Sequence, residues 1–427
     1  MSKNPIYGII SDDFTGGLLV ASFFERAGIE CPVYFNAPSA AADRTNAPIV
    51  VIAGRTRLSP PQAALADVSA ALDVLDSLGC STVAYKACAT FDSTPDGNIG
   101  PVADLMADRY DQTPLLISAG FPEFGTTVFQ GHMFVRGSLV NESIKRFDPV
   151  TPMPDPNLVR FLSLQTRTPI GLIPHEALAK GPESARTVLQ DLVANSCRHV
   201  LCDSVDSGDI DCSVELAAGA RAIVASDAVV IALGLRLCGA RKDPAVSPRH
   251  AEGPVAVLVG SVGPVAEAQL ASFEAAYPAL RIDLLDDRSD EERIEQALSF
   301  AARHRGERPF AITTCTDTSS ILDAQARFGR IEAARKAEAL LAGIAVRLHA
   351  AGIRRFIVSG GETSGSIIGA LEIEQVRSMP RGALGGGFCV AEGPDPVSFF
   401  LKSGKLGTAD VLVRAVDAFG NEKRQTT

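Results

Sequence analysis

Short, continuously apolar runs alternate with amphipathic, alanine- and leucine-rich stretches through almost the whole chain, and this alternation constrains the fold more than any other feature. Residues 6–10, 48–53, 82–85 and 115–118 read as strands, and residues 18–27, 61–78 and 102–109 read as the helices between them. A strand with no polar face must be covered on both sides. Helices between successive strands supply that cover, together with the crossovers that parallel pairing requires. Residues 170–173 and 199–202 repeat the strand pattern, with a helix near 182–195. Residues 237–254 are rich in proline, glycine and charge, and break the series. A second series follows, with strands at 255–260, 280–285, 309–314 and 355–359 and helices at 291–303 and 331–350. The chain of 427 residues is also too long for one ordinary core. The expectation is an α/β protein of two domains, each a mainly parallel sheet flanked by helices. Residues 1–238 and 255–427 form the domains, and 239–254 the linker.

In open parallel sheets, ligands bind beyond the carboxyl ends of the strands, so those ends carry the functional information. The first strand runs into Ser11, Asp12, Asp13, Phe14, Thr15, Gly16 and Gly17. The second runs into Gly54, Arg55, Thr56 and Arg57, and the fourth into Ser118 through Glu123. The third ends at Lys86 and is followed by a polar turn holding Asp92, Ser93, Thr94, Asp96, Gly97 and Asn98. Turns use Asp, Asn and Gly routinely, but a turn does not need a lysine at the mouth of its strand. Arginine suits bidentate capture of a carboxylate, and carboxylates suit vicinal hydroxyls. The rim therefore fits a small, polar, anionic ligand. The structural alternative is that Asp12 or Thr15 caps the next helix and that Arg55 and Arg57 are solvated surface cations.

In the second half, Ile357, Val358 and Ser359 lead into the glycine-rich turn Gly360–Gly365, with a helix at 366–371. Backbone N–H groups at such a turn make a phosphate cradle. Gly260-Ser261-Val262-Gly263 and Lys402-Ser403-Gly404-Lys405-Leu406-Gly407 are similar turns, the last carrying two lysines. Together they favour a nucleotide, although neither GxxxxGK[ST] nor GxGxxG after a strand is present, which argues against a P-loop ATPase and a dinucleotide-binding dehydrogenase.

Composition narrows the classes further. The formal charge of −10, without a long basic block, argues against nucleic acid or an anionic membrane as the main partner. Nine scattered cysteines, with no CxxC pair or zinc spacing, read as reduced thiols, and no metal-ligating set is expected. With no secretory-type apolar leader, a cytoplasmic protein is expected. Homo-oligomerisation is compatible with all of this. The six histidines form no evident triad; His199 reads as structural, and His132 lies within reach of the first domain's loops.

These residues resemble the four-carbon acid sugar kinase family over nearly the whole length. Asp12-Asp13-Phe14-Thr15-Gly16 is similar to its opening DDxTG. Lys86 with Phe91 to Pro101 is closest to the 3-oxo-tetronate kinase branch, which Phe121-Pro122-Glu123, Gly131-His132 and residues 148–152 also fit. Gly360 to Gly365 resembles GGETSG, and Leu401 to Gly404 resembles LKSG. The resemblance implies an acid-sugar domain followed by an ATP domain, with the active site in the interdomain cleft. It implies ATP- and Mg²⁺-dependent phosphorylation of a terminal hydroxyl of a short sugar acid, with 3-oxo-tetronate going to its 4-phosphate. Asp12, Asp13, Arg57, Lys86, Asp92 and Asn98 would hold the substrate, with Asp13 as catalytic base. Ser261, Gly360, Gly361, Glu362, Thr363 and Gly404 would hold ATP. The chain departs from the family at Gly17-Leu18-Leu19-Val20, at Thr126, at Lys405-Leu406-Gly407, and at 228–233, where a glycine- and serine-rich turn is replaced by AVVIAL. Those departures leave open a branched acid such as 3-oxo-isoapionate, or a catalytically silent ATP-binding regulator.

Overall fold

The computed structural model describes residues 5–42, 46–148, 151–239, 246–304, 308–314, 323–324, 326–404 and 407–421. Lys405 and Leu406 of the last glycine turn, part of the 148–152 run and residues 240–245 of the expected linker lie outside the described residues. The chain divides into two compact units, Met1–Val246 and Ser247–Thr427.

The N-terminal unit contains strands β1 (Tyr7–Ser11), β2 (Pro32–Tyr34), β3 (Ile49–Ala53), β4 (Thr82–Lys86), β5 (Leu115–Ser118), β6 (Thr126–Phe129), β7 (His132–Val135), β8 (Ser138–Leu139), β9 (Ile170–Ile173), β10 (His199–Cys202) and β11 (Ala222–Ala225). Eight of them pair in the order β2-β3-β1-β4-β11-β5-β10-β9. Every described pairing in that series is parallel. All five residues of β1, β3 and β4 are buried, as two-faced cover demands. One face is covered by Val68, Leu72 and Leu75 of the helix Pro61–Ser77 and by Val102 and Met106 of Ile99–Arg109, which pack with Ile10, Val50, Val83 and Ile117. Each such fully buried side chain contributes roughly 1.5–3 kcal/mol. Strands β6, β7 and β8 form a separate antiparallel sheet that no apolar periodicity announced.

The C-terminal unit contains β12 (Val255–Val259), β13 (Ala279–Arg281), β14 (Phe310–Thr313), β15 (Arg355–Ser359), β16 (Gln375–Ser378), β17 (Phe388–Ala391) and β18 (Val397–Lys402). The order β13-β14-β12-β15-β18 is parallel, and β17 and β16 continue it antiparallel. Its core gathers Val257, Leu270, Phe273, Ile357, Phe400, Leu412 and Phe419.

The structure corrects several expectations. The strand expected at 280–285 stops at Arg281, because the buried Arg293 guanidinium takes the carbonyls of Asp283, Leu284 and Asp286 and curls the chain around itself. The stretch 360–365 is not a turn: the helix begins at Gly361 and runs to Ala370, and only Gly360, at φ 135°, lies outside it. Residues 228–233 belong to the helix Asp227–Cys238, whose apolar sequence packs into the core. The cap of the first helix, Phe14–Arg26, is Asp13 rather than Asp12 or Thr15. Strands β2, β11 and β16–β18 escaped the sequence reading, the shorter ones because three or four apolar residues between helices leave little periodicity to see.

Candidate functional site

In the N-terminal unit the chain order reverses at β1, which lies between β3 and β4, and this switch point is where parallel sheets open a crevice. Asp12 and Asp13 follow β1, Arg57 follows β3, Lys86 closes β4 and Asp227 follows β11. Backbone bonds lock these ends in register: Asp12 N–H donates to Lys86 O at 3.0 Å, and Arg57 N–H to Asp12 O at 3.2 Å. The Arg57 guanidinium grips Asp12 with two bonds, Nε to Oδ2 at 2.8 Å and Nη2 to Oδ1 at 3.0 Å. The same Nη2 stands 2.9 Å from Asp13 Oδ2. Asp12 Oδ2 also accepts the Cys88 N–H at 3.1 Å.

Lys86 is buried between two carboxylates, with Nζ 3.3 Å from Asp227 Oδ1 and 3.9 Å from Asp12 Oδ1. Burial alone would strip its charge, but Asp227, Asp12 and Asp13 outweigh burial and hold the ammonium well above the ordinary lysine range. Gly16 makes room for it: a Cβ there would stand 2.3 Å from Lys86 Nζ and 2.4 Å from Asp13 Oδ1. This is the physical content of the glycine in DDFTG. Asp13 accepts the Gly16 N–H at 2.7 Å as the helix cap. Burial would raise its pKa, yet Arg57, Lys86 and that N–H together hold it below the usual carboxylate range. Burial raises the pKa of Asp227, with Lys86 only partly offsetting it. Asp12 and Asp227 side chains are 3% exposed and Asp13 is 29% exposed, so of the three carboxylates Asp13 is the one open to a ligand.

Asp92 and Asn98 sit differently. Asp92 pairs with Lys145 at 2.8 Å, and Lys145 also reaches Asp148 at 3.1 Å. Asp92 connects back to the first cluster through Thr90, which donates to it and contacts Cys88 Sγ at 3.1 Å. Burial and Asp92 push the Cys88 thiol up to about 11, which leaves it protonated near neutrality. Asn98 spends its amide N–H groups on the Thr56 and Ser59 carbonyls, holding the loop that carries Arg57, while its side-chain oxygen is buried with no partner among the described residues. Sequence reasoning missed Asp227 and Lys145. Asp227 could have been found from the Ser-Asp pair after a short apolar run; nothing marks Lys145.

In the C-terminal unit the order reverses at β12, between β14 and β15. Gly260 and Ser261 follow β12, Gly360 follows β15, and Gly404 lies just beyond β18. Gly260 and Ser261 N–H groups both donate to Ser359 O at 3.1 Å, and Gly360 N–H donates to Lys402 O at 2.9 Å. A Cβ on Gly404 would meet Ser261 Oγ at 2.2 Å, and one on Gly260 would meet Thr363 Oγ1 at 2.3 Å. The loops thus close on Ser261 and Thr363 with no room for side chains, a cradle of backbone and hydroxyls. Gly361 and Glu362 open the helix at the surface, while Thr363 is buried. Beneath them the buried Lys402 Nζ donates to Ser359 Oγ at 2.9 Å, and burial pushes this ammonium down to about 8.

Two histidines do pair with acids across long sequence separations. His175 Nδ1 lies 2.9 Å from Asp209, and His199 Nε2 lies 2.7 Å from Asp104, where it ties β10 to the helix Ile99–Arg109. His132 turns its Nδ1 to Gln130 O at 2.8 Å. Among the described residues no three His, Cys, Asp or Glu side chains gather as a metal site, and no helix is long and apolar enough to cross a membrane.

Comparison with known proteins adds to this geometry. A family model described as a sugar-binding N-terminal domain matches residues 7–233, and one described as a nucleotide-binding C-terminal domain matches residues 256–412. A 3-oxo-tetronate kinase of Burkholderia multivorans is 33% identical over 421 residues, covering 98% of each chain. One of Salmonella typhimurium is 31% identical, covering 96% of this chain and 99% of that one. A solved Salmonella typhimurium LT2 structure, described as a tRNA synthase, superposes with a TM-score of 0.83 at 31% identity, covering 96% of this chain and 98% of that one. A solved Haemophilus influenzae protein gives 0.76 at 25% identity, covering 96% of this chain and all of that one. With both family models matched and identity above 30% across nearly its full length, the chain belongs to the four-carbon acid sugar kinase family.

Proposed function

We propose that this protein transfers the γ-phosphoryl group of Mg²⁺-bound ATP to the terminal hydroxyl of 3-oxo-tetronate, giving the 4-phosphate. The observation that carries the reading is the cluster of Asp12, Asp13, Arg57 and Lys86 at the N-terminal switch point. It matches what a short sugar acid presents: a carboxylate for the cations and hydroxyls for the carboxylates. The 3-oxo-tetronate kinase names of full-length relatives support the same substrate. In this reading residues 1–238 hold the acid and residues 255–427 the nucleotide, and the protein works in the cytoplasm. Asp13, ionised and partly open, accepts the hydroxyl proton or orients the hydroxyl, while Asp12 and Asp227 stay buried and set the charge of their neighbours. Asp92 and Lys145 bound the acid on a second side, and Asn98 fixes the Arg57 loop. Ser261, Gly360, Gly361, Glu362, Thr363 and Gly404 receive ATP, whose phosphates bring the Mg²⁺ with them. Phosphoryl transfer needs mainly positioning and charge neutralisation, which suits a site with one weakly basic, well-held carboxylate.

The test is a panel of linear and branched four- and five-carbon sugar acids with ATP and Mg²⁺, read by ADP release and mass spectrometry. The expected result is a phosphorylated product with the highest kcat/KM for 3-oxo-tetronate. A clear preference for a branched acid such as 3-oxo-isoapionate would move the substrate. ATP binding without any product would leave a silent regulator.

A further inference from the structure

We propose that Lys402 is the phosphate-binding cation of the nucleotide site, held without a carboxylate partner so that its charge is available to the incoming phosphates. The inference rests on the nucleotide reading of the C-terminal unit and adds a residue to it. Lys402 ends β18, beside β15, and is 6% exposed. Its Nζ has a single hydrogen-bond partner among the described residues, the Ser359 hydroxyl at 2.9 Å. Ser359 Oγ lies in turn 3.5 Å from Ser261 Oγ, which stands against Gly404 and Gly360. The ammonium is therefore one hydroxyl away from the tightest part of the glycine cradle.

A buried lysine ordinarily has a carboxylate beside it, because an unpaired buried ammonium is costly. Lys86 in the N-terminal unit follows that rule with Asp227 and Asp12. Lys402 breaks it: among the described residues no carboxylate lies within ion-pair distance, and burial draws its pKa down to about 8. For structure alone, a methionine would fill the same volume without that cost. Two of the three donors of the ammonium face no protein acceptor among the described residues. A polyanion at the cradle supplies both the counter-charge and the acceptors. Phosphate oxygens are the acceptors that Gly-rich backbone and a compact ammonium recognise together.

The experiment titrates adenosine, AMP, ADP and ATP into the full-length wild type and Lys402→Met by calorimetry. A charge-assisted hydrogen bond corresponds to about 10–100-fold in affinity. The expected result is a loss of that size for ATP, a loss that shrinks as phosphates are removed, and unchanged adenosine affinity. The melting temperature of nucleotide-free Lys402→Met should equal or exceed that of the wild type. Equal losses for adenosine and ATP, or no loss at all, would overturn the proposal. Wild-type protein that binds none of the four would instead overturn the nucleotide reading beneath it. Lys402→Gln keeps a donor for Ser359 while removing the charge. It carries the same expectations, so a Met variant that fails to fold leaves the test standing.

Discussion

The two switch points share a backbone plan and differ in how they hold charge. In each unit the first strand sits where the order reverses, and the loop after it is stitched to the neighbouring strand end: Asp12 N–H to Lys86 O in one, Gly260 N–H to Ser359 O in the other. In the N-terminal unit three carboxylates surround two cations, and every one of these charges has a partner within 4 Å. In the C-terminal unit the described lining is glycine, serine and threonine with the exposed Glu362, and among the described residues the buried Lys402 ammonium meets only a hydroxyl. A small acid has one charge and several hydroxyls, and is selected by a fixed array of paired side chains. A triphosphate carries several charges of its own and is met by unspent donors. On the proposed reading, paired charges suit a site built for shape and stereochemistry, and an ammonium with no counter-ion among the described residues suits one built for charge.

The largest expected effect sets the two lysines against each other. Lys86→Met leaves Asp12 and Asp227 buried without their shared cation, which should cost about 3–5 kcal/mol in urea unfolding and abolish turnover. Lys402→Met removes a charge that has no counter-ion among the described residues, and should leave stability unchanged or higher. Equal destabilisation by the two substitutions would mean that Lys402 has a structural counter-charge after all.

Next in size is Asp13→Asn, which keeps the shape of the cap and removes the accessible negative charge. The expected result is a fall in kcat of about 10²- to 10⁴-fold, with the melting temperature altered far less than by Lys86→Met. Because Arg57 and Lys86 hold Asp13 below the usual carboxylate range, the wild-type kcat profile should stay flat on its acid side down to about pH 4. An acid limb centred near pH 6 would assign the titrating role to another group.

Much of this was legible in the sequence, for reasons that can be stated residue by residue. The buried strands β1, β3, β4 and β5 were visible because their runs are apolar throughout, and their polar ends named Asp12, Arg57 and Lys86 as neighbours before any distance was known. What stayed hidden depended on long-range pairing. Asp227 lies 141 positions from Lys86 and reads locally as a helix start, and Lys145 sits in a short 3₁₀ turn beside exposed Ile144 and Phe147. The glycine run at 360–365 misled because glycine usually argues against helix. Here Ser364 donates its hydroxyl to Gly360 O at 2.7 Å and Thr363 fills the space that Gly260 and Gly360 leave, so the helix starts early.

The spacing around Gly404 leaves the cradle no room for even a methyl group. Gly404→Ala drives a methyl group onto Ser261 Oγ and Cβ, at 2.2 and 2.5 Å, and should cost about 1–3 kcal/mol in stability along with nucleotide affinity. Adding Ser261→Gly removes the clashing atoms and should recover most of the lost stability but not the affinity. Unchanged nucleotide binding in the double variant would remove Ser261 from the site and weaken the contrast between the units.

The smallest effect is the pH dependence of the Lys402 penalty. An unfolded lysine titrates near 10.4 and the folded Lys402 near 8. Below pH 8 both states hold the proton, and the cost of the buried charge is constant. Between these values the unfolded chain binds a proton that the folded chain has released, so the lysine's contribution to stability rises with pH. Buried thiols oppose this: Cys88, pushed up to about 11, and Cys202, pushed up to about 12, keep their protons in the folded state while the unfolded chain loses them. The total stability can therefore fall over the same interval, and only a difference isolates the lysine. Unfolding free energies of wild type and Lys402→Met, measured at pH 7, 8, 9 and 10, should show the advantage of the methionine variant shrinking by about 1 kcal/mol between pH 8 and 9. Saturating ATP should move that shrinkage upward in pH, because phosphate oxygens then stabilise the ammonium. A difference that stays flat with and without ATP would mean that the lysine keeps its proton unaided, and that the two units hold charge in the same way.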